Sequence, residues 1–353
     1  MFKQFNKILV LVGAAGMLAM PAFAAEPTAD GEDYKVKVGG KIRAYFGQYD
    51  AGITGEDAYL TNYSEANLQI KVTRGPISAL YEVESRNNKE GTTTNMRQVT
   101  YNAGGFSATI GTCKPKASYA FSWGAGTSSS ATKATFYDGL TIKTEADGLC
   151  LGYKAAEALK VEFTQYNVDA LNKDSANSNK TGLKDGSGMQ FGALGKFGDL
   201  SYRLSSIGTI TDDHMGGDTT SHSGNLVGLK YDMGIILVSV DSINKVIETG
   251  AGIDTDTGES TLAYKTTTKD QSLQLGYTMG NKHSLLLTVA TQSIQADSAG
   301  ALETVNTFTD GVYSIPMAKG ADMRLVYGQK SEKEGEADPL VASFAGLGMF
   351  AKF

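Results

Sequence analysis

Apolar and polar residues alternate along this chain with a period of two. From Tyr34 one parity reads Val36, Val38, Gly40, Ile42, Ala44 and Phe46, and the other Lys35, Lys37, Gly39, Lys41, Arg43 and Tyr45. Ala66, Leu68, Ile70 and Val72 then interleave with Glu65, Asn67, Gln69 and Lys71, and Ile77, Ala79, Tyr81 and Val83 with Ser78, Leu80, Glu82 and Glu84. Successive side chains of a strand point to opposite faces, so each segment predicts a strand with one face for lipid and one for water.

The connections sort by length. Short turns are expected at Arg74–Pro76, Gly104–Gly105, Lys154–Ala158, Phe197–Asp199, Asp232–Gly234, Met279–Lys282 and Pro316–Gly320. Long polar segments lie between them near 50–62, 86–95, 112–146, 169–187, 211–223, 244–270, 294–303 and 331–338. Seven turns and eight loops join about sixteen strands, with both chain ends on the turn side. The expectation is an all-β chain: one transmembrane antiparallel β-barrel with short periplasmic turns and long extracellular loops. Ala134–Thr144 and Ser260–Thr267 could each be one further strand, so eighteen is the other count. Tyr153, Tyr231 and Tyr277 each fall just before a short turn on the lipid parity, where amphipathic rings suit a membrane interface.

Composition fits this picture. The mean hydropathy is −0.20, which is what averaging a lipid face with a water face produces. After the first two dozen residues no uncharged apolar run is long enough to cross a bilayer as a helix. At the start, Lys3 and Lys7 precede the apolar run Ile8–Ala19 and the small-x-small site Ala22-Phe23-Ala24. This predicts a secretory signal over residues 1–24, cleaved after Ala24, and a barrel domain over 25–353. At the other end Val341, Ala345, Leu347, Met349 and Ala351 share one parity and lead to Phe353. The formal net charge of −6 argues against nucleic acid as a partner.

These features together resemble the Gram-negative porin family of trimeric general-diffusion type. The resemblance is spread along the chain and is best at Ala66–Lys71, Ala79–Glu84 and Gln98–Gly111, which are similar to that family's second to fifth strands; Phe353 fits the family's terminal aromatic. It implies an outer-membrane channel for passive diffusion of small hydrophilic solutes and ions, a homotrimer, contact with outer-membrane lipid and lipopolysaccharide, and Phe353 as a signal to the barrel-assembly machinery. It also implies a third loop folded into the lumen, here about Thr112–Ala146. That loop departs from the family pattern: Lys114, Pro115, Lys116 and Tyr119–Gly124 stand where a Pro-Glu-Phe-Gly-Gly turn is usual.

A diffusion pore needs fixed charges along a wet constriction rather than catalytic groups. Parity directs Lys41, Arg43, Lys71, Glu82, Glu84, Lys160, Glu162, Arg203, Asp241 and Arg324 inward. Lys41, Arg43 and Lys71 are expected to form a basic ladder, faced by a constriction loop carrying Lys114, Lys116 and Tyr119 with Asp138, Glu145 or Asp147 as opposite charges. Cys113 and Cys150 share the lumen parity at the loop's two ends. A disulfide between them requires Cα atoms within about 7 Å, which sequence does not fix, so bridged and separate thiols both stay open.

Other patterns weigh less. Asp254–Glu259 lacks the length of an EF-hand loop. His214 and His222 have no metal-binding spacing, so no metal and no cofactor is expected. Arg86, Lys89 and Arg97 could meet lipopolysaccharide phosphates or be solvated charges. Competing readings are a substrate-specific channel for a sugar or anion, with Tyr119, Phe121 and Trp123 as stacking surfaces, an outer-membrane hydrolase, and a plugged structural or adhesive barrel. No nucleophile motif supports the hydrolase, so no enzyme is expected.

Overall fold

The computed structural model describes residues 34–53, 57–86, 92–121, 146–168, 186–213, 219–249, 252–253, 260–261, 264–297 and 301–353. These form the strands β1 (Lys35–Asp50), β2 (Tyr59–Arg74), β3 (Ile77–Arg86), β4 (Thr92–Ala103), β5 (Phe106–Cys113), β6 (Ala146–Ala156), β7 (Leu159–Val168), β8 (Gly186–Phe197) and β9 (Leu200–Asp213). They continue with β10 (Thr219–Asp232), β11 (Ile236–Thr249), β12 (Gly252–Ile253), β13 (Ser260–Thr261), β14 (Tyr264–Thr278), β15 (Ser284–Ala296), β16 (Thr304–Ala318), β17 (Ala321–Glu334) and β18 (Leu340–Lys352). All but β12 and β13 close into one antiparallel barrel in sequence order, β18 pairing with β1.

The barrel therefore has sixteen strands, and the seven expected short turns all join consecutive barrel strands. The eighteen-strand alternative is resolved within the described residues: Ser260–Thr261 pairs with Gly252–Ile253 as a small separate hairpin, while Tyr264–Thr267 begins β14. Ala134–Thr144 and the expected signal at residues 1–24 lie outside the described residues.

Closure removes the exposed edges that an open sheet would leave. It runs from Lys41 opposite Lys352 to Asp50 opposite Ser343. Phe353 extends it by one residue: its backbone N–H donates to Gly40 O at 3.1 Å, and Gly40 N–H donates to Phe353 O at 3.0 Å. The Phe353 ring lies on Gly40, where a Cβ would approach Cζ to 2.7 Å.

The outer face is apolar as the alternation requires. Val38, Phe46, Val240, Leu275 and Leu347 are exposed on it. Tyr153, Tyr231 and Tyr277 are exposed there too, each at the turn end of its strand. The inner face is less uniformly polar than strict alternation predicts. Ile207, Leu226, Ile243, Ala290 and Phe308 form one buried cluster on it, and Tyr45, Tyr49, Val312, Val326, Ala342 and Phe344 form another. The first is apolar because it is a seat for a loop.

Candidate pore and its inward loop

Thr112 and Cys113 end β5, and the chain then turns away from the wall. Gly111 makes this exit: its φ is 107°, and a Cβ there would meet Arg97 O at 2.2 Å. Only glycine accepts both the conformation and the closeness. A short 3-10 turn follows at Lys116–Ser118, with the Ser118 hydroxyl donating to Pro115 O at 2.6 Å.

Three inward side chains fasten this segment to the barrel. Glu162 on β7 accepts the Ala117 N–H at 3.0 Å. Arg203 on β9 donates through one guanidinium nitrogen to Tyr119 O at 2.7 Å and Ala120 O at 3.1 Å, and its guanidinium sits 4.2 Å from the Phe121 ring centroid. Asp241 on β11 accepts the Phe121 N–H at 2.8 Å. Hydrogen bonds to charged groups contribute about 1.5–3 kcal/mol each, so the latch as a whole outweighs the ordering cost of a few residues.

Glycines on the wall make room for the loop. A Cβ at Gly192 on β8 would come within 2.4 Å of the Ala117 Cβ, and one at Gly228 on β10 within 3.2 Å of the Phe121 ring. Cys113 and Ala120 complete the apolar cluster with Ile207, Leu226, Ile243, Ala290 and Phe308. The Cys113–Cys150 disulfide, with Cα atoms 6.0 Å apart, ties the loop's root to β6; of the two states left open by sequence, the bridged one is present. Gly192→Leu should push Ala117 off the wall. Its expected result is faster proteolytic nicking of the 114–121 segment in a barrel that stays folded, read by limited digestion of detergent-solubilised protein.

The facing wall is charged in both signs. Glu65 on β2 is 2 % exposed and reaches two cations: Lys41 Nζ at 3.2 Å and Arg43, whose guanidinium donates at 2.6 Å. Arg43 stands directly opposite Glu65 in the strand register. Below it Asn67 donates to Glu82 at 3.2 Å and to Glu84 at 3.4 Å, and Gln69 also donates to Glu82. Arg324 on β17 pairs with Asp322 and lies 4.5 Å from the Phe350 ring centroid.

The ladder expected of Lys41, Arg43 and Lys71 thus differs from what the wall carries. Its upper rungs are compensated by Glu65 within the wall, whereas sequence reading looked for compensation from the loop. Lys71 is exposed nearer the turns, opposite Lys37. Arg203, Glu162 and Asp241 do point inward, but they hold the loop instead of lining free space. Of the constriction residues, Lys116 is exposed, Lys114 and Tyr119 are half-buried, and Phe121 packs on Gly228 and Arg203. Asp138, Glu145 and Trp123 lie outside the described residues, as do Lys89, His214 and the Asp254–Glu259 stretch; Asp147, Arg86 and His222 are described in backbone only. Sequence reading missed Glu65, Gly192 and Gly228 as site residues. The signal for the glycines was present, since both fall on the inward parity of their strands.

A closed sixteen-stranded antiparallel barrel with an apolar outer face is the architecture of outer-membrane β-barrels. The chain is similar to OmpT, an outer-membrane protein of Vibrio cholerae in its trimer form (13% identity, TM-score 0.61, covering 91% of this chain and 99% of that one). It is similar as well to an anion-selective porin from Comamonas acidovorans (12% identity, TM-score 0.62, covering 91% and 100%) and to a further porin (14% identity, TM-score 0.55, covering 90% and 100%). The likeness is one of fold. No family's sequence profile matches the chain, and no curated protein does.

Proposed function

We propose that this protein is an outer-membrane porin, a water-filled channel through which small hydrophilic solutes and ions diffuse passively, and not an enzyme. The observation that carries the reading is the pairing of two walls inside one barrel. On one side a loop is strapped to β7–β11 by Glu162, Arg203 and Asp241. On another, Lys41 faces inward with 38% of its side chain accessible, beside the paired Arg43 and Glu65. Accessible charge on an inner wall requires water there, because an ion in a dry lumen would cost several kcal/mol. Lys41, Arg43, Glu65, Lys71 and Lys116 are the proposed pore-lining set, with Glu82 and Glu84 beneath them and Arg324 on the neighbouring wall.

The same reading gives the chain a place and partners. Its apolar outer face and tyrosine belt suit a bacterial outer membrane, after export with residues 1–24 removed. Lipid and lipopolysaccharide would surround it, Phe353 would serve the assembly machinery, and three copies would associate as in the trimeric Vibrio relative. The substrate-specific alternative loses one support, because Phe121 is spent in packing against Gly228 and is not presented for stacking.

Liposome swelling tests the solute reading. Vesicles containing the full chain should swell in small sugars at rates that fall smoothly with sugar size. A single sugar entering far faster than a smaller one would replace the general pore with a specific channel.

A further inference from the structure

The turn-side mouth of the barrel carries lysines that the strand registers set directly opposite one another. Lys37 of β1 opposes Lys71 of β2, Lys41 of β1 opposes Lys352 of β18, and Lys154 of β6 opposes Lys160 of β7. All lie on the inward parity: Lys37 and Lys41 with Arg43, Lys71 with Glu65, Lys154 with Cys150, Lys160 with Glu162, Lys352 with Phe344. Directly opposed residues in an antiparallel pair have Cβ atoms about 4.5–5.5 Å apart, and like charges so placed repel.

Carboxylates relieve this only in part. Glu65 takes Lys41 and Glu162 takes Lys160. Lys37, Lys71, Lys154 and Lys352 are exposed and have no ion pair among the described residues. The local acids are otherwise engaged or peripheral: Glu82, diagonal to Lys71, accepts from Asn67 and Gln69, Asp232 pairs with Lys230, Asp322 pairs with Arg324, and Glu157 and Asp199 sit in the turns. Among the described residues towards the opposite end, Asp50, Asp57, Glu303, Glu334, Glu336 and Asp338 stand beside Lys333, and Lys265 and Lys330 there are paired with Glu248 and Glu332. A chain of net charge −6 has therefore gathered uncompensated amines at one mouth.

We propose that this mouth binds soluble oligophosphates approaching from the turn side, with the Lys37–Lys71 pair as its centre. The amines that β18, β1 and β2 hold beside one another, Lys352, Lys37 and Lys71, outnumber the acids at that place, match the several charges of a phosphate chain, and gain by losing their mutual repulsion. Because these amines face the lumen and not the lipid, the ligand is a solute and not a headgroup. The inference rests on the lumen being water-filled.

Inorganic tripolyphosphate is the probe, titrated calorimetrically into the full chain in uncharged detergent, with bilayer recordings made from the same preparation. Saturable binding is expected, weakening as salt is raised. Lys37→Gln/Lys71→Gln should lower the affinity by about tenfold or more, Lys37→Arg/Lys71→Arg should retain it, and loop-side Lys265→Gln should leave it unchanged. No saturable binding, or an equal loss in Lys265→Gln, overturns the site while channel steps in the bilayer leave the pore standing. Silent bilayers would strike at the pore itself.

Discussion

Arg203→Ala should release the inward loop from the wall. The substitution removes the guanidinium that holds Tyr119 O and Ala120 O and stacks on Phe121, and it leaves those two carbonyls facing the wall without their donor. Two charge-assisted bonds of this kind put the loss on the order of 3 kcal/mol, which raises the detached population about a hundredfold. Asp241→Ala should act in the same direction and more weakly, since it removes one contact to the Phe121 N–H. The disulfide at Cys113 keeps the loop's root in place in both variants, so the detached loop moves about a fixed base. In single-channel records the expected result is a rise in open-channel noise and brief closures, with thermal stability of the barrel nearly unchanged because the strand ladders are untouched. A variant as quiet as the wild type would show that Arg203 does not hold the loop.

Glu65→Gln should turn the pore towards anions. Glu65 is the carboxylate that both Lys41 and Arg43 reach, so its neutralisation leaves these two cations without the carboxylate they share. A unit charge about 7 Å from an ion in water is worth roughly 0.6 kcal/mol, which changes local cation and anion concentrations about threefold in opposite directions. The reversal potential in a salt gradient reads that change directly. The same substitution should cost stability, because the half-buried Arg43 loses its charged partner. Lys41→Gln should shift selectivity the other way, towards cations, and cost less, since Lys41 is the more exposed of the two. An unchanged reversal potential in Glu65→Gln would mean that ions do not pass this wall.

Strand parity was legible because it needs nothing but order along the chain. Every inward residue singled out on a described strand, from Lys41 to Arg324, lies on the inward parity of its strand, and the short turns at Gly104–Gly105 and Phe197–Asp199 stand where glycine marks them. What sequence could not supply is register across long loops. That Arg43 stands opposite Glu65 depends on how β1 and β2 align across residues 51–58, and no local signal sets that alignment. The same holds for β5 and β6 across the third loop, which is why the Cys113–Cys150 bridge stayed open until the Cα separation was known. The latch was illegible for a further reason. Glu162, Arg203 and Asp241 look like ordinary lumen charges along their strands, and only the loop's path turns them into anchors for the backbone of 117–121. Apolar inward residues such as Leu226 and Ile243 break the alternation rule for the same cause, since the loop's Ala120 covers them.

The central claim is that the lumen conducts past the strapped loop. Single-channel recording of the purified, refolded full chain in a planar bilayer tests it most directly. The expected result is large, nearly ohmic steps, grouped in threes when three copies insert together. A folded, heat-resistant barrel that stays electrically silent would contradict the claim and point to a closed lumen.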